Sequence, residues 1–288
     1  MNHFLQSEYA PVAPDAAGFH IIPVPFERSV SYGCGTERGP ESIIAASQQL
    51  EAFDGIGFPG ALGMHTTAAV ETSGSTEYVM DAISCCVKRA LDTHALPVML
   101  GGEHTVSFGA IRAAHQHAGQ IGIIQIDAHA DLRDEYEGSK WSHACVMRRA
   151  AELGIPILQI GVRSLCAEEL KARKTFNVTC LDARDIHRGV ALADVMPADF
   201  PKQVYVTFDV DGLDASLMPA TGTPEPGGLT FWQALDLVAD AIRDRDVVGL
   251  DVVELAPQTG LHHADYTAAK LTYCLMGLAR PASASASF

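Results

Sequence analysis

Short apolar runs alternate along the chain with longer segments in which apolar residues recur at helical spacing. In the first half, a segment of helical periodicity over 76–93 and a helix beginning at Thr105 separate runs typical of buried strands. Further helices are expected near 141–153, 166–174, 230–243 and 263–279. The strand-like runs are "FHIIPVPF", "LPVMLGG", "IGIIQID", "IPILQIGV", "FNVTCLD", "QVYVTFDVD" and "VVGLDVVEL". This alternation predicts an α/β protein whose parallel sheet is covered by helices on both faces.

Four of the apolar runs end in carboxylates and imidazoles. Ligands of parallel sheets bind beyond the carboxyl ends of the strands, so residues at these ends are candidates for a functional site. A single acidic residue after a strand commonly forms a turn, but packing does not require four strands to end in this way. The terminal residues are Glu103 and His104, then Asp127, His129 and Asp131, then Asp209 and Asp211, and finally Asp251 and Glu254. If "DAHAD" continues its strand, alternation puts Asp127, His129 and Asp131 on one side, as a metal site requires.

The candidate metal ligands are two imidazoles and four carboxylates, namely His104, Asp127, His129, Asp131, Asp209 and Asp211. One divalent ion needs fewer ligands, whereas two ions that share bridging carboxylates would use all six and balance their charge. The set contains no thiolate, which disfavours a structural zinc site and favours Mn(II), although Co(II), Ni(II) and Fe(II) accept such ligands as well. Two ions about 3.5–4 Å apart activate water for attack on carbon or phosphorus. The predicted reaction class is therefore hydrolysis.

Composition and charge limit the partners. With 288 residues and 48% hydrophobic content, the chain suits one large domain over 1–288, with a low-complexity tail at 281–288 expected to be disordered. Asp and Glu number 35 against 20 Lys and Arg, and the net charge of -15 opposes binding to nucleic acid or anionic lipid while favouring cationic small molecules. No signal peptide, long apolar span or C-x-x-C pair is recognisable in the sequence. A cytoplasmic protein that binds no membrane is therefore expected.

Several motifs together resemble the ureohydrolase family, to which arginases and agmatinases belong. They cover most of the chain, and the similarity is greatest to agmatinases. The motifs are "GTERGPESI", "GGEHTVSFGA", "DAHADLRDEYEG", "SHACVMRR", "TFDVDGLDAS" with "TGTPEPGGL", and "GLDVVELAP". The resemblance implies a three-layer α/β/α fold around a central, mostly parallel sheet, two Mn(II) ions per subunit, and hydrolysis of a guanidinium group to an amine and urea. It also implies a homo-oligomer, a trimer or a hexamer.

The resemblance further implies roles for individual residues. It places His104, Asp127, Asp131 and Asp209 around one ion, and Asp127, His129, Asp209 and Asp211 around the other. His143 corresponds to the family's proton-transferring histidine, and Glu254 to the carboxylate that binds the guanidinium. Both roles suit the chemistry, because a leaving amine must gain a proton and a carboxylate can accept paired N–H donors.

Four other acidic residues lie within or near these motifs. Glu103 stands where the family more often has Asp and is expected to support a ligand or the fold. Asp251 is expected to make hydrogen bonds behind the ligands, and Asp214 to hold a turn. Glu225 is expected near the pocket mouth, with no role assigned to it.

The loops favour agmatine as the substrate, with putrescine and urea as products and a place in polyamine biosynthesis. Ser164 and Cys166 stand where arginases tend to have acidic residues that bind the amino-acid end of the substrate, so those contacts are missing here. In addition, "LRDEYEG" with "SHACVMRR" is similar to agmatinases. The acidic residues available for a distal ammonium are Asp134, Glu135 and Glu137, and the cations available for a carboxylate tail are Arg133 and Lys140. Guanidinobutyrate, guanidinopropionate, guanidine, arginine and formiminoglutamate remain alternative substrates.

Two alternatives come from other functional classes. A non-catalytic, ureohydrolase-like protein would bind a guanidino ligand or regulate a partner, but it would be expected to lack at least one of the metal ligands. A two-metal phosphoesterase uses similar ligands, but it needs cationic groups around phosphate, and the charge of -15 argues against it.

Overall fold

The computed structural model describes residues 3–281, so all of the predicted disordered tail except Pro281 lies outside the described residues. The eight strands of this part form a single sheet in the order β2-β1-β3-β8-β7-β4-β5-β6, and every pair is parallel. The strands are β1 (Phe19–Val24), β2 (Met64–Thr66), β3 (Leu96–Gly101), β4 (Ile121–Ile126), β5 (Ile157–Ile160), β6 (Thr179–Leu181), β7 (Gln203–Asp209) and β8 (Asp246–Val253). The sheet predicted as mostly parallel is thus parallel throughout.

Helices follow most strands and cover the sheet. They are α1 (Gly39–Ser47), α2 (Thr76–Asp92), α3 (Ser107–Ala118), α4 (Val146–Glu152), α5 (Ala167–Thr175), α6 (Ala183–His187), α7 (Phe231–Ala241) and α8 (His262–Ala279). Their ends carry the expected signals. The Ser75 hydroxyl accepts the Tyr78 N–H at the start of α2, and a capping box of Thr230 and Gln233 begins α7.

The apolar core lies in two layers, one on each face of the sheet. Helices α1, α7 and α8 pack on one face, and α2, α3 and α4 on the other. Side chains of successive strand residues pack in opposite layers of the core. Ile123 of β4 packs among α2, α3 and α4, whereas Ile124 packs with the opposite layer. Because both faces are buried, the strands are continuously apolar rather than alternating, and the three-layer α/β/α prediction is confirmed.

Three local predictions differ from the structure. Strand β2 was not predicted, because it has only three residues at the sheet edge and includes His65 instead of an apolar run. The five-residue helix α6 was missed for a similar reason, since it is too short to show periodicity. The strand before "DAHAD" ends at Ile126, so alternation along a strand does not position Asp127, His129 and Asp131.

Within residues 3–281, no helix combines the length and the apolar character that crossing a bilayer requires.

Candidate metal centre and substrate pocket

The candidate ligands meet at the carboxyl ends of four neighbouring strands. Strands β3, β8, β7 and β4 are adjacent at the middle of the sheet. His104 follows β3, Glu254 follows β8, Asp209 ends β7, and Asp127 follows β4. Residues far apart in sequence are therefore brought to one edge, as expected for a parallel sheet.

Two groups of donor atoms form at this edge. In the first, His104 Nδ1 lies 3.1 Å from Asp127 Oδ2, 2.9 Å from Asp131 Oδ2 and 3.4 Å from Asp209 Oδ2. In the second, His129 Nδ1 lies 3.6 Å from Asp127 Oδ1 and 3.0 Å from Asp211 Oδ2. Asp127 directs one carboxylate oxygen toward each group. His104, Asp127 and Asp209 in the first group, and Asp127, His129 and Asp211 in the second, lie close enough together to hold a metal ion.

The environment of His104 fits a cation. Its Nε2 lies 2.8 Å from Thr207 Oγ1, and the Thr207 hydroxyl donates to Asp251 Oδ1 at 2.7 Å. The hydroxyl has one proton to give, so Nε2 carries the hydrogen of this contact, and in the neutral ring Nδ1 then keeps its lone pair. That buried Nδ1 has no well-formed hydrogen bond and faces three carboxylates. A lone pair among anions is stabilised by a metal ion, with Thr207 and Asp251 fixing the ring behind it.

The carboxylates also require positive charge. Burial, with the nearby Asp211 and Asp127 carboxylates, raises the pKa of Asp209 well above its usual range. Burial, with the Asp127 carboxylate, raises the pKa of Asp131 to about 7. These shifts mean that ionised Asp131 and Asp209 are costly to bury beside other carboxylates without a counter-charge, which divalent ions would supply.

A buried hydrogen-bond chain orients Asp127 from behind. Gln125 Nε2 donates to Asp127 Oδ2 at 2.7 Å, and Gln159 Nε2 donates to Gln125 Oε1 at 2.7 Å. Arg173 Nε donates to Gln159 Oε1 at 2.8 Å, and its other nitrogens bind the Asp182 carboxylate at 3.0 and 2.9 Å. The shared carboxylate is thus held by side chains reaching back to helix α5.

Two site residues adopt left-handed backbone conformations that only glycine adopts easily. Asp131 has φ 53° and Glu254 has φ 67°. Such conformations cost energy and persist where the surroundings impose them, often at functional sites. At Asp131, this turn replaces the predicted strand alternation and still brings the carboxylate to His104.

His143 and Glu254 border the same cavity as the donor groups. A small inner space of about 20 Å³ is lined by both residues and by His104, Asp209 and Asp211. It adjoins an outer cavity of about 360 Å³, which His143 also lines. Glu254 is buried, and its Oε1 accepts the His104 backbone N–H at 2.6 Å. His143 Nε2 lies 3.0 Å from Ser31 Oγ. Seven of the eight predicted site residues therefore line the inner space, and the eighth, Asp127, is buried beside it in contact with His104 and His129.

The mouth of the outer cavity differs from the predicted acidic loop. Asp134 binds Arg149 at 2.7 Å and Lys140 at 3.8 Å, and neither Glu135 nor Glu137 lines the cavity. The half-buried Glu225 does line it. Arg133 also lines it, with its guanidinium 5.3 Å from the centre of the Tyr136 ring.

Comparison with known proteins identifies the family. The model of the Arginase family matches residues 17–277, nearly the whole chain. The chain belongs to the arginase family. Membership makes this arginase-family protein a hydrolase of the ureohydrolase type, as predicted, and the phosphoesterase alternative is abandoned. The family depends on two metal ions, and the two donor groups of this chain fit that requirement.

Individual relatives of this arginase-family chain carry related names. It is 36% identical over 286 residues to the N(1)-aminopropylagmatine ureohydrolase of Synechocystis sp., covering 96% of this chain and 93% of that protein. It is 33% identical over 267 residues to the agmatinase of Pyrococcus horikoshii, covering 91% and 92%. The crystal structure of the agmatine ureohydrolase of Thermoplasma volcanium has a TM-score of 0.84 and 30% identity, covering 97% of this chain and 94% of that one.

Sequence reasoning missed several residues of the site. Ser29 and Ser31, which contact His143, lie in an early loop with no recognisable metal or catalytic motif. Gln125 and Gln159 carried a readable signal, since each is a polar residue within an otherwise apolar strand. A polar side chain that must be buried needs a hydrogen-bond partner, and here the partners lead to Asp127.

Proposed function

We propose that this arginase-family enzyme hydrolyses the guanidinium group of agmatine, releasing putrescine and urea. His104, Asp127, Asp131 and Asp209 would hold one metal ion, Mn(II) in this proposal, and Asp127, His129, Asp209 and Asp211 would hold a second. The observation that carries the proposal is the buried Glu254 carboxylate at the inner end of the cavity that also contains the donor groups. Two bound divalent ions supply an activated water and polarise the group under attack.

The remaining chemistry is done by Glu254 and His143. Glu254 accepts N–H donors of the guanidinium and holds its carbon next to the donor groups. Water adds to this carbon and forms a C–O bond, after which the C–N bond to the alkyl chain breaks and its electron pair passes to the amine nitrogen. His143 Nε2, which faces the cavity 3.0 Å from Ser31 Oγ, supplies the proton that this nitrogen needs.

The outer cavity favours a substrate with a cationic tail. The carboxylate of Glu225 makes no hydrogen bond or ion pair among the described residues, so it is available to an ammonium. An arginine-like substrate would bring its own carboxylate to this end of the cavity, toward Glu225, and like charges repel. A trimer or hexamer is part of the same proposal and rests on the resemblance to ureohydrolases.

The volume of the outer cavity supports a second candidate, N(1)-aminopropylagmatine. A cavity of about 360 Å³ falls within the roughly 300–1,000 Å³ that small organic ligands typically occupy. The aminopropyl arm would add a second cationic group beyond the guanidinobutyl chain. The Synechocystis relative, at 36% identity, carries the name of this activity.

Urea release from a substrate panel tests the proposal. The manganese-loaded protein is assayed with agmatine, N(1)-aminopropylagmatine, arginine, guanidinobutyrate and guanidine. We expect the two cationic substrates to have the highest kcat/KM, and their ratio decides between them. Preference for guanidinobutyrate would instead indicate Arg133 as the residue that binds the tail and overturn the role of Glu225. No urea from any compound would contradict the proposed function.

Glu225→Gln is expected to raise KM for agmatine by about 10-fold with little change in kcat. A charge-assisted hydrogen bond contributes roughly 1.5–3 kcal/mol when shielded, and the half-buried position of Glu225 reduces this. Contacts to the tail act equally in the ground state and the transition state, so only KM changes. Glu135→Gln is the matched control, because Glu135 is exposed and outside the cavity. Equal effects of the two substitutions would show a general charge effect instead of a binding site.

A further inference from the structure

A carboxylate that belongs to neither donor group lies behind His143. Glu103 is fully buried, and no cationic side chain of the described residues pairs with it. Its Oε2 accepts the backbone N–H groups of Arg28 at 2.5 Å and Ser29 at 2.7 Å. Its Oε1 accepts the hydroxyls of Ser29 at 2.7 Å and Thr105 at 2.6 Å. The charge is therefore stabilised entirely by hydrogen bonds, one of which comes from the serine next to His143.

The Ser29 hydroxyl joins Glu103 to His143. A serine hydroxyl has one proton to donate and two lone pairs that accept. Its proton goes to Glu103, which leaves the lone pairs for His143, whose Nδ1 and backbone N both lie 3.2 Å from Ser29 Oγ. A lone pair cannot bond to another lone pair, so Nδ1 must carry a hydrogen.

This arrangement determines which nitrogen of His143 takes part in proton transfer. With Nδ1 protonated in the neutral ring, the lone pair is on Nε2, 3.0 Å from Ser31 Oγ, and the Ser31 hydroxyl then donates to Nε2 instead of to the Tyr136 hydroxyl 3.1 Å away. The proton that His143 gains and loses is then on Nε2. A histidine that transfers a proton depends on such an orienting partner, which sets both the tautomer and the direction of the ring.

We propose that Glu103 and Ser29 are positioning residues that hold His143 as its Nδ1–H tautomer and direct Nε2 to the leaving amine. This inference rests on the proton-donating role proposed for His143 in the ureohydrolase reaction. It also gives a reason for a buried carboxylate at position 103 that the metal ligands do not require.

Electrostatics supports the same arrangement. Burial lowers the pKa of His143, and the nearby negative charge of Glu103 partly restores it. A proton donor works best when its pKa lies near the working pH. The Glu103 charge therefore offsets part of the free-energy cost that burial imposes on the protonated ring.

The decisive variant is Ser29→Ala, which removes the hydroxyl that joins Glu103 to His143 while keeping Glu103. Loss of a residue that orients an active-site group typically costs about 10–100-fold, and we expect a loss of this size in kcat for agmatine. KM and the metal content should be unchanged. Protonated His143 should also become less stable, so the decline of kcat at high pH should begin at lower pH. Ser29→Thr retains the hydroxyl and should recover most of the rate.

Ser142→Ala is the matched control. The Ser142 hydroxyl lies 3.4 Å from the same Nδ1, farther than Ser29, and is also within reach of the Ala144 N–H. Removal of the Ser142 hydroxyl should leave the pH dependence of kcat unchanged. A shifted profile in Ser142→Ala with none in Ser29→Ala would assign the orienting role to Ser142 and overturn the proposal.

A spectroscopic measurement tests the tautomer without substrate. The metal-free protein is labelled with ¹⁵N-histidine, and the His143 signals are those missing from the NMR spectrum of His143→Gln. We expect neutral His143 to carry its hydrogen on Nδ1 in the natural protein and to shift toward the Nε2–H form in Ser29→Ala. An Nε2–H ring in the natural protein would overturn the inference. The expected spectrum combined with no urea from any substrate would instead refute the proposed function alone.

Discussion

Asp127→Ala is expected to abolish urea release and to leave at most one metal ion per chain. Asp127 directs one oxygen to the group around His104 and the other to the group around His129, so a single substitution removes a ligand from both. Loss of a residue that only supports a ligand costs about 10–100-fold, and loss of a shared ligand should exceed this, at more than about 10³-fold. Metal analysis of the purified variant, together with urea assays at saturating manganese, measures both effects.

Asp134→Asn provides the control for this substitution. It also removes a carboxylate near the pocket, but Asp134 binds Arg149 and Lys140 at the rim instead of the donor groups. We expect two metal ions and nearly unchanged turnover. Two ions and full activity in Asp127→Ala would refute the assignment of Asp127 as the shared ligand.

Glu254→Gln is expected to lower kcat/KM by more than about 100-fold while both metal ions remain bound. The amide oxygen can still accept the His104 backbone N–H, now at 2.6 Å from Glu254 Oε1, so the local fold should persist. The guanidinium loses its buried counter-charge, and breaking such a pair costs about 2–5 kcal/mol. Steady-state kinetics with agmatine, alongside metal analysis, separates this effect from loss of the metal centre.

Putrescine provides a sharper control for Glu254. This product lacks the guanidinium, so its competitive inhibition should be the same for Glu254→Gln and the natural protein. Weaker putrescine binding would mean that the substitution distorts the whole pocket. Loss of a metal ion would mean that Glu254 supports the donor groups and does not bind the substrate.

Much of the architecture could be read from the pattern of residues. Buried parallel strands are mostly apolar, so polar residues at strand ends stand out, and His104, Asp127 and Asp209 were found in this way. Their convergence also follows from the parallel sheet, because the carboxyl ends of neighbouring strands share one edge. The order of the strands, which places β8 between β3 and β7, could not be read from local patterns.

The parts that could not be predicted depend on loops. Glu225 was expected near the pocket mouth and does line the cavity, whereas Glu135, offered for the substrate's ammonium, does not, because the course of its loop depends on packing. Asp131 reaches the site through a left-handed turn and not through strand alternation. Ser29 meets His143 although 114 residues separate them, a contact that only the folded chain creates.

The hydrogen-bond chain from Asp182 to Asp127 has a consequence for how the enzyme would evolve. Asp182 is only partly buried, yet through Arg173, Gln159 and Gln125 it helps aim the carboxylate that both metal ions would share. Natural variation at Asp182 could therefore adjust how tightly the centre retains manganese when the metal is scarce. Adaptation to a poor metal supply would then leave every ligand intact and be visible only at a residue between β6 and α6.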